Sequence, residues 1–489
     1  MNQRRVLVAT LIIVLFGGAV VAGRTQQMPL RATFGQSPTA SRPFLSLAKT
    51  ITTTWYCPGV PAQDDTFGGQ VVVSNPSESQ LQARLTLFGS DGVAPVLKDV
   101  NIAARGSLSI DIRPLLSANF VSAMVELDSG SGIVEQRAVH PGGNAIATCT
   151  PATSRAWYFA DGFTVDGSAD QIVLTNPYPD VAIVDLSFFK TDQPMISPAA
   201  FQDYPISGHS VKVISLADIG GKDEVSLAVQ VVASRGRFVA GRSQHYFGGG
   251  RLGYSMALGA PRLAEQLYFA EGETGPGITE TYAIFNPTKE DVLLEPTVLG
   301  VPLTGELVDP DAIPVPSNSV VTFDATAIVG MPVGQHTMVF STLAQASVVI
   351  ERVLTKTVDN KPMTSVVQGI TPEYVVSRWY VPIGVDGPTD NALVIYNVDA
   401  ADTTVTVKAV GPGGEVAVPG LEAIPLISSG VITVSLTDSS AFGRTLVVES
   451  AQRLLVERLV STGSKSDRRA SVWAVPECGP CNLLSLPSS

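Results

Sequence analysis

Residues 156–180 read AWYFADGFTVDGSADQIVLTNPYPD: two adjacent aromatics, an acid–glycine turn, and an apolar run that stops at Asn176-Pro177. Taken alone, Trp157, Tyr158 and Asp161 have the content of a sugar-stacking site beside an acid. The stretch recurs, however. Copies open at Trp55, Trp157, Leu267 and Trp379, so successive starts lie 102, 110 and 112 residues apart. Each opening is followed 18 to 20 residues later by an asparagine closing a strand-like run: Asn75 in VVVSNPS, Asn176 in IVLTNPY, Asn286 in YAIFNPT and Asn397 in LVIYNVD. A second landmark follows 79 to 85 residues after each opening: Arg137 in IVEQRAV, Arg242 in FVAGRSQ, Arg352 in VVIERVL and Arg458 in LLVERLV. Two landmarks in one register four times over make this a repeat protein, and repetition points to scaffold before chemistry.

Within a copy the pattern is all-β. The third contains LYFAE, TYAIFN, DVLLEPTVLG, SVVTFDA, HTMVFSTL and SVVIERVL, short β-branched and aromatic runs separated by Gly, Pro, Asn and Asp. No window keeps apolar residues at i, i+3, i+4 and i+7, so crossover helices and a parallel sheet are excluded. Six or seven strands per hundred residues predict four tandem immunoglobulin-like antiparallel β-sandwiches. A β-propeller-like arrangement is the alternative, although propeller blades need only about half this length. SVWAVPECG at Trp473 reads as the start of a fifth copy, or as a strand that closes the fourth.

With 489 residues the chain exceeds one core, and its 16% charged residues and mean hydropathy of +0.25 suit strands and exclude a disordered chain. A net charge of −12 without charge blocks argues against nucleic acid or a polybasic membrane surface. Arg4 and Arg5 precede an uncharged run, Val6 to Ala22, which predicts an export segment. Both an uncleaved anchor and a cleaved signal fit, and both place the rest of the chain outside the cytoplasm. The expected organisation is a membrane helix at 1–22, a flexible stalk at 23–54, repeats at 55–150, 151–262, 263–374 and 375–476, and a cysteine-containing tail at 477–489.

WYFADGFT, LYFAEGET, the Asn-Pro strand ends and the VIER and LVER strands resemble the WYFAEG-type repeats of uncharacterised secreted and membrane-anchored actinobacterial proteins. The resemblance spans nearly all of residues 55–476. It is weaker in copies one and four, where WYCPG and WYVPIG lack the acid present as Asp161 and Glu271. It implies an envelope-located array of immunoglobulin-like domains without an established activity.

Cys57 and Cys149 bracket the first copy while Cys478 and Cys481 sit together in the tail, so the expected disulfides are Cys57–Cys149 and Cys478–Cys481. Cys478-Gly-Pro-Cys481 has thioredoxin-like content but lacks the helix that would lower a thiolate pKa. The recurring arginines are expected to lie along strands and pair with local acids, and the opening aromatics to fill one core each. His140, His209, His245 and His336 stand at unrelated positions without zinc-site spacing, and no G-x-S-x-G motif occurs. Asp64-Asp65, Glu290-Asp291 and Asp309-Asp311 read as turn caps. The expected function is that of a non-catalytic, cofactor-free envelope scaffold or protein-interaction module. The alternatives are a polysaccharide-binding module and a secreted glycoside hydrolase.

Overall fold

The computed structural model describes residues 43, 45, 52–63, 66–90, 92–191, 193–301, 310–382, 391–461 and 469–477. The expected membrane helix, most of the stalk, Asp64, Asp65, Asp309, Cys478 and Cys481 lie outside the described residues. Among those described, helix is confined to six 3-10 turns of three or four residues, none long or apolar enough to cross a membrane.

The first copy sets the plan. Its strands are β1 (Thr53–Ala62), β2 (Gly68–Asn75), β3 (Leu81–Gly89), β4 (Val96–Ile102), β5 (Gly106–Asp111), β6 (Ala118–Leu127), β7 (Ile133–Val139) and β8 (Ala145–Thr148). They form two antiparallel sheets, ordered β1-β6-β3-β4 and β5-β2-β7-β8. The sheets face each other over a core that includes Val71, Val73, Leu85, Leu87 and Val125. Strand β3 shows the alternation that makes this work: Leu81, Ala83, Leu85 and Leu87 are buried, Gln82 and Arg84 exposed. Eight strands appear where six or seven were expected. The first neighbours the sixth rather than the second, so the order is not that of the immunoglobulin constant domain.

Copies two and three repeat both sheets, and their second sheets join edge to edge into one of eight strands through a parallel contact, Leu252 beside Met363. In copy four the sixth and seventh strands are continuous, Leu446–Ser461, and pass from one sheet into the other. The opening residues Trp55, Trp157, Leu267 and Trp379 are each buried, and the Trp157 indole donates to the Phe238 carbonyl at 2.9 Å.

The copies close on themselves. The eighth strands are Ala145–Thr148, Arg251–Leu258, Lys361–Gln368 and Arg469–Trp473, and each packs against the next, the fourth returning to the first. Small voids of about 20 and 60 Å³ lie between them. The four sandwiches therefore form a ring around an axis of four strands. Trp473 opens no fifth copy: it pairs with Glu457 as Thr148 pairs with Glu135 and Gln368 with Glu351, the end of an eighth strand. Val475 and Pro476 then pair with Tyr380 and Trp379, closing the fourth copy. Of the expected stalk, Leu45 is buried between the first and fourth copies, and its amide donates to the Pro476 carbonyl at 2.9 Å.

Candidate functional site

The four asparagines share one geometry. Each is fully buried at a strand end, and its amide group donates to a carbonyl four residues on: Ser79 at 2.8 Å, Asp180 at 2.7 Å, Glu290 at 2.8 Å and Ala401 at 2.7 Å. A second donation crosses to the segment before the fifth strand, at Ala103, Ile206, Val315 and Ile427. The side-chain oxygen accepts the amide two residues on. These residues satisfy turn backbone that burial would otherwise strand.

The arginines join copies rather than only serving their own. Arg242 of copy two donates to Glu351 of copy three at 3.0 Å, Arg352 of copy three to Glu457 of copy four at 2.7 Å, and Arg458 of copy four to Glu135 of copy one at 2.9 Å. Glutamate and arginine are adjacent in sequence and so point to opposite faces, letting one strand receive from one neighbour and give to the other. Arg137 does not belong to this set. The position paired with the residue four before the asparagine is Gln136, opposite Val71, as Arg242, Arg352 and Arg458 are opposite Ile172, Tyr282 and Leu393. The extra residue in Glu135-Gln136-Arg137 moves the arginine to the other face, where it pairs with Glu135 at 3.0 Å.

Burial pushes Glu351 and Glu457 above the usual carboxylate range despite their arginines. Burial also opposes ionisation of Glu135, but Arg458 and Arg137 outweigh it and hold its carboxyl low. The acids of the opening segment are likewise engaged: Asp161 with Arg251 at 2.9 Å, and Glu271 with Arg352 at 2.6 Å and Lys356 at 3.3 Å. Neither is a free acid beside an aromatic pair.

Among the described residues the first-to-second junction shows no such arginine–glutamate pair between copies. Gly241 replaces the glutamate, and a Cβ there would lie 2.5 Å from the Cβ of Pro58. The Pro58 carbonyl accepts the Ser122 and Thr175 hydroxyls, while Gly59 donates to Gln136 at 3.0 Å. The fourth-to-first junction repeats the device, with Thr445 and Ser74 donating to the Pro382 carbonyl. Cys57, beside Pro58, is bonded to Cys149 with the Cα atoms 4.4 Å apart.

The same junction carries a cleft of about 640 Å³. His140 follows β7 in the turn His140-Pro141-Gly142, where its Nδ1 accepts the Gly142 amide at 3.0 Å. His245 is on the seventh strand of copy two (Val239–Gly248), directly across from Tyr254. The His140 ring stacks on Tyr254 with centroids 3.9 Å apart and meets His245 edge-on at 4.4 Å; Phe67 meets His140 at 4.8 Å. Burial, and then the neighbouring His245, lower His140 to about 4, so both faces of this cluster are uncharged at neutral pH. Two histidines at unrelated sequence positions are thus brought together by copies that pack side by side. Of Tyr246, Phe247 and Tyr254, an aromatic trio that could have marked a sugar-binding face, only Phe247 is exposed.

The remaining candidates fall elsewhere. His209 stacks on Phe88, and His336 is wholly buried, its Nε2 3.2 Å from Glu280. Asp291 accepts the Ser317 amide at 2.8 Å as a turn cap. Among the described residues no group of three or more His, Cys, Asp or Glu is arranged to hold a metal ion.

Residues 137–245 match a family of unknown function, DUF5719. That span runs from one seventh strand to the next, one period of the repeat, and includes both His140 and His245. The match agrees with the resemblance to uncharacterised repeats; it carries neither the actinobacterial origin nor the WYFAEG signature. No curated protein matches the chain. Among solved structures, Thermotoga maritima 1070 is 16% identical over 22% of this chain and 95% of its own, with a TM-score of 0.20. A tetra-tandem repeat from the extending region of a large adhesion protein is 10% identical over 82% of this chain and 93% of its own, with a TM-score of 0.11.

Proposed function

We propose that the protein is a non-catalytic, extracytoplasmic scaffold: four sandwiches of the broadly immunoglobulin-like two-layer kind, held as a rigid ring and tethered to the membrane by residues 1–22. The observation that carries this reading is the sealing of each junction, by buried arginine–glutamate pairs at three and by a proline carbonyl at two. Such junctions leave no hinge, so the ring presents its loops to partners in fixed relative positions. Arg4, Arg5 and the apolar run after them support export, and the Cys57–Cys149 bond suits an oxidising compartment. Protease treatment of intact cells, combined with crosslinking and identification of the captured envelope components, tests the reading. Loss of the 55–476 region to external protease and recurrent capture of the same envelope partner are expected. Protection of that region inside the cell would overturn it.

A further inference from the structure

Three junctions of the ring are joined by peptide as well as by packing. Residues 149–155, 259–265 and 369–375 each lead from an eighth strand straight into the opening strand of the next copy. On the way, Thr150, Ala260 and Ile370 pair back with Tyr56, Tyr158 and Tyr268 of the copy being left. Val475 takes the same step in the fourth copy, pairing with Tyr380. There the pattern stops, because the first copy precedes the fourth in the chain and no such connector can lead from the fourth to the first. A junction joined by a short connector re-forms at a high effective concentration, whereas this one is held by its contacts alone.

Residues ahead of the first copy take the connector's place. Leu45 lies beside Glu477 in parallel pairing, and its amide donates to the Pro476 carbonyl at 2.9 Å. Pro476 in turn pairs with Trp379, so Leu45 extends the sheet that holds the fourth copy's opening strand. The partner strand is itself fixed: the Glu477 amide donates to the Arg378 carbonyl at 2.9 Å, and its carboxylate accepts the Tyr380 hydroxyl at 2.7 Å. The Leu45 side chain is buried in an apolar cluster that unites the first core with Tyr380, Val410, Val447 and Val475 of the fourth copy. Pro43 borders the small void at the end of the axis, where the last residues of all four eighth strands meet: Thr148, Leu258, Gln368 and Trp473. Pro43 and Leu45 thus touch the axis and the seam. We infer that the N-terminal segment is the clasp of the ring: with Leu45 seated the fourth and first copies stay together, and with Leu45 withdrawn the ring opens at that junction alone. The inference goes beyond the scaffold reading and holds whether or not residues 1–22 reach a membrane.

Two buried hydroxyls that play the same part at different junctions supply the test. Ser74 donates to the Pro382 carbonyl at the fourth-to-first junction, and Ser122 to the Pro58 carbonyl at the first-to-second. Both are wholly buried, so a cysteine in either place reacts with a thiol reagent only when its junction opens. The full chain in mild detergent is labelled, and modification is read by mass spectrometry at that residue. Leu45→Asp should speed modification of the Ser74→Cys chain at least about tenfold, since loss of a buried leucine shifts an equilibrium by more than one factor of ten. Modification of the Ser122→Cys chain should not change. Leu45→Ala, which removes packing without adding charge, should act in the same direction by a smaller factor. An unchanged rate in the Ser74→Cys chain, or an equal rise in both, would overturn the assignment; the second result would mean that Leu45 supports the first copy's own fold.

Discussion

At the scale of single residues, the outcome of a charge depends on whether water can reach it. Arg352 and Glu457 are wholly buried, so truncating Arg352 to alanine leaves two acids, Glu457 and Glu271, short of their partner. A loss of about 3–5 kcal/mol is expected. Arg84, exposed and paired with Asp99 at 2.9 Å, should lose far less on the same substitution, because water screens the pair. Urea unfolding of both variants decides it, and equal losses would mean that the junction pair is not buried in solution.

Protonation follows the same rule with opposite signs at two sites. His140 titrates at about 4 in the fold against 6.5 ordinarily. Between those values the unfolded chain binds a proton that the folded chain does not, so stability falls as pH drops through that window and levels off below it. Asp170 is raised to about 7 by burial, against the partial opposition of Arg242. Its contribution runs the other way, since the unfolded chain has already released its proton, and stability falls as pH rises from about 4 to about 7. His140→Gln should flatten the acid-side fall and Asp170→Asn the alkaline-side fall. Urea midpoints at pH 4.5, 6 and 8 would show this, and a variant whose profile matches the parent's would refute the assignment for that residue.

At the scale of elements, the seventh strands show how a repeat adapts without losing its frame. Gly241 occupies the glutamate position because Pro58 fills the space. Gly241→Ala should therefore cost about 1–3 kcal/mol through overpacking. Pro58→Gly should recover part of that loss in the double variant, since it removes the atoms that collide. Thermal unfolding of the two singles and the double closes the cycle, and strict additivity would show that the two residues do not meet. The second strands carry a sequence signal for this packing. Val71-Val72-Val73, Ile172-Val173-Leu174 and Leu393-Val394-Ile395 are unbroken apolar runs, not alternations, and every one of these residues is buried. A strand apolar on both faces is covered on both faces. Here the second cover is the next copy, as where Val173 meets Phe88 and Phe120.

For the whole molecule, ring closure is the property most open to test, because it joins copies at opposite ends of the chain. In a ring, Arg458 and Glu135 are partners; in an extended array they never meet. Replacing each separately and both together should reveal a coupling of about 1–3 kcal/mol in a double-mutant cycle. Zero coupling, with two variants that each unfold as the parent does, would show an extended array instead of a ring.

The strands, the turns and the fourfold repeat were legible because each depends on local chemistry: alternation, β-branched runs, and Asn-Pro at strand ends. Trp157 and its counterparts could be assigned to cores on the same grounds, and Cys57 and Cys149 could be paired because they bracket one copy. The error at Arg137 came from aligning like residues instead of counting strand register, where a single step reverses the face. Sequence by itself thus determined what each copy is made of. Tertiary structure alone decided that the copies close into a ring, that arginines reach across junctions, and that His140 and His245 meet in one cleft. Those contacts join residues about a hundred or more positions apart, and their pairing depends on how one folded surface fits the next, which no local pattern encodes.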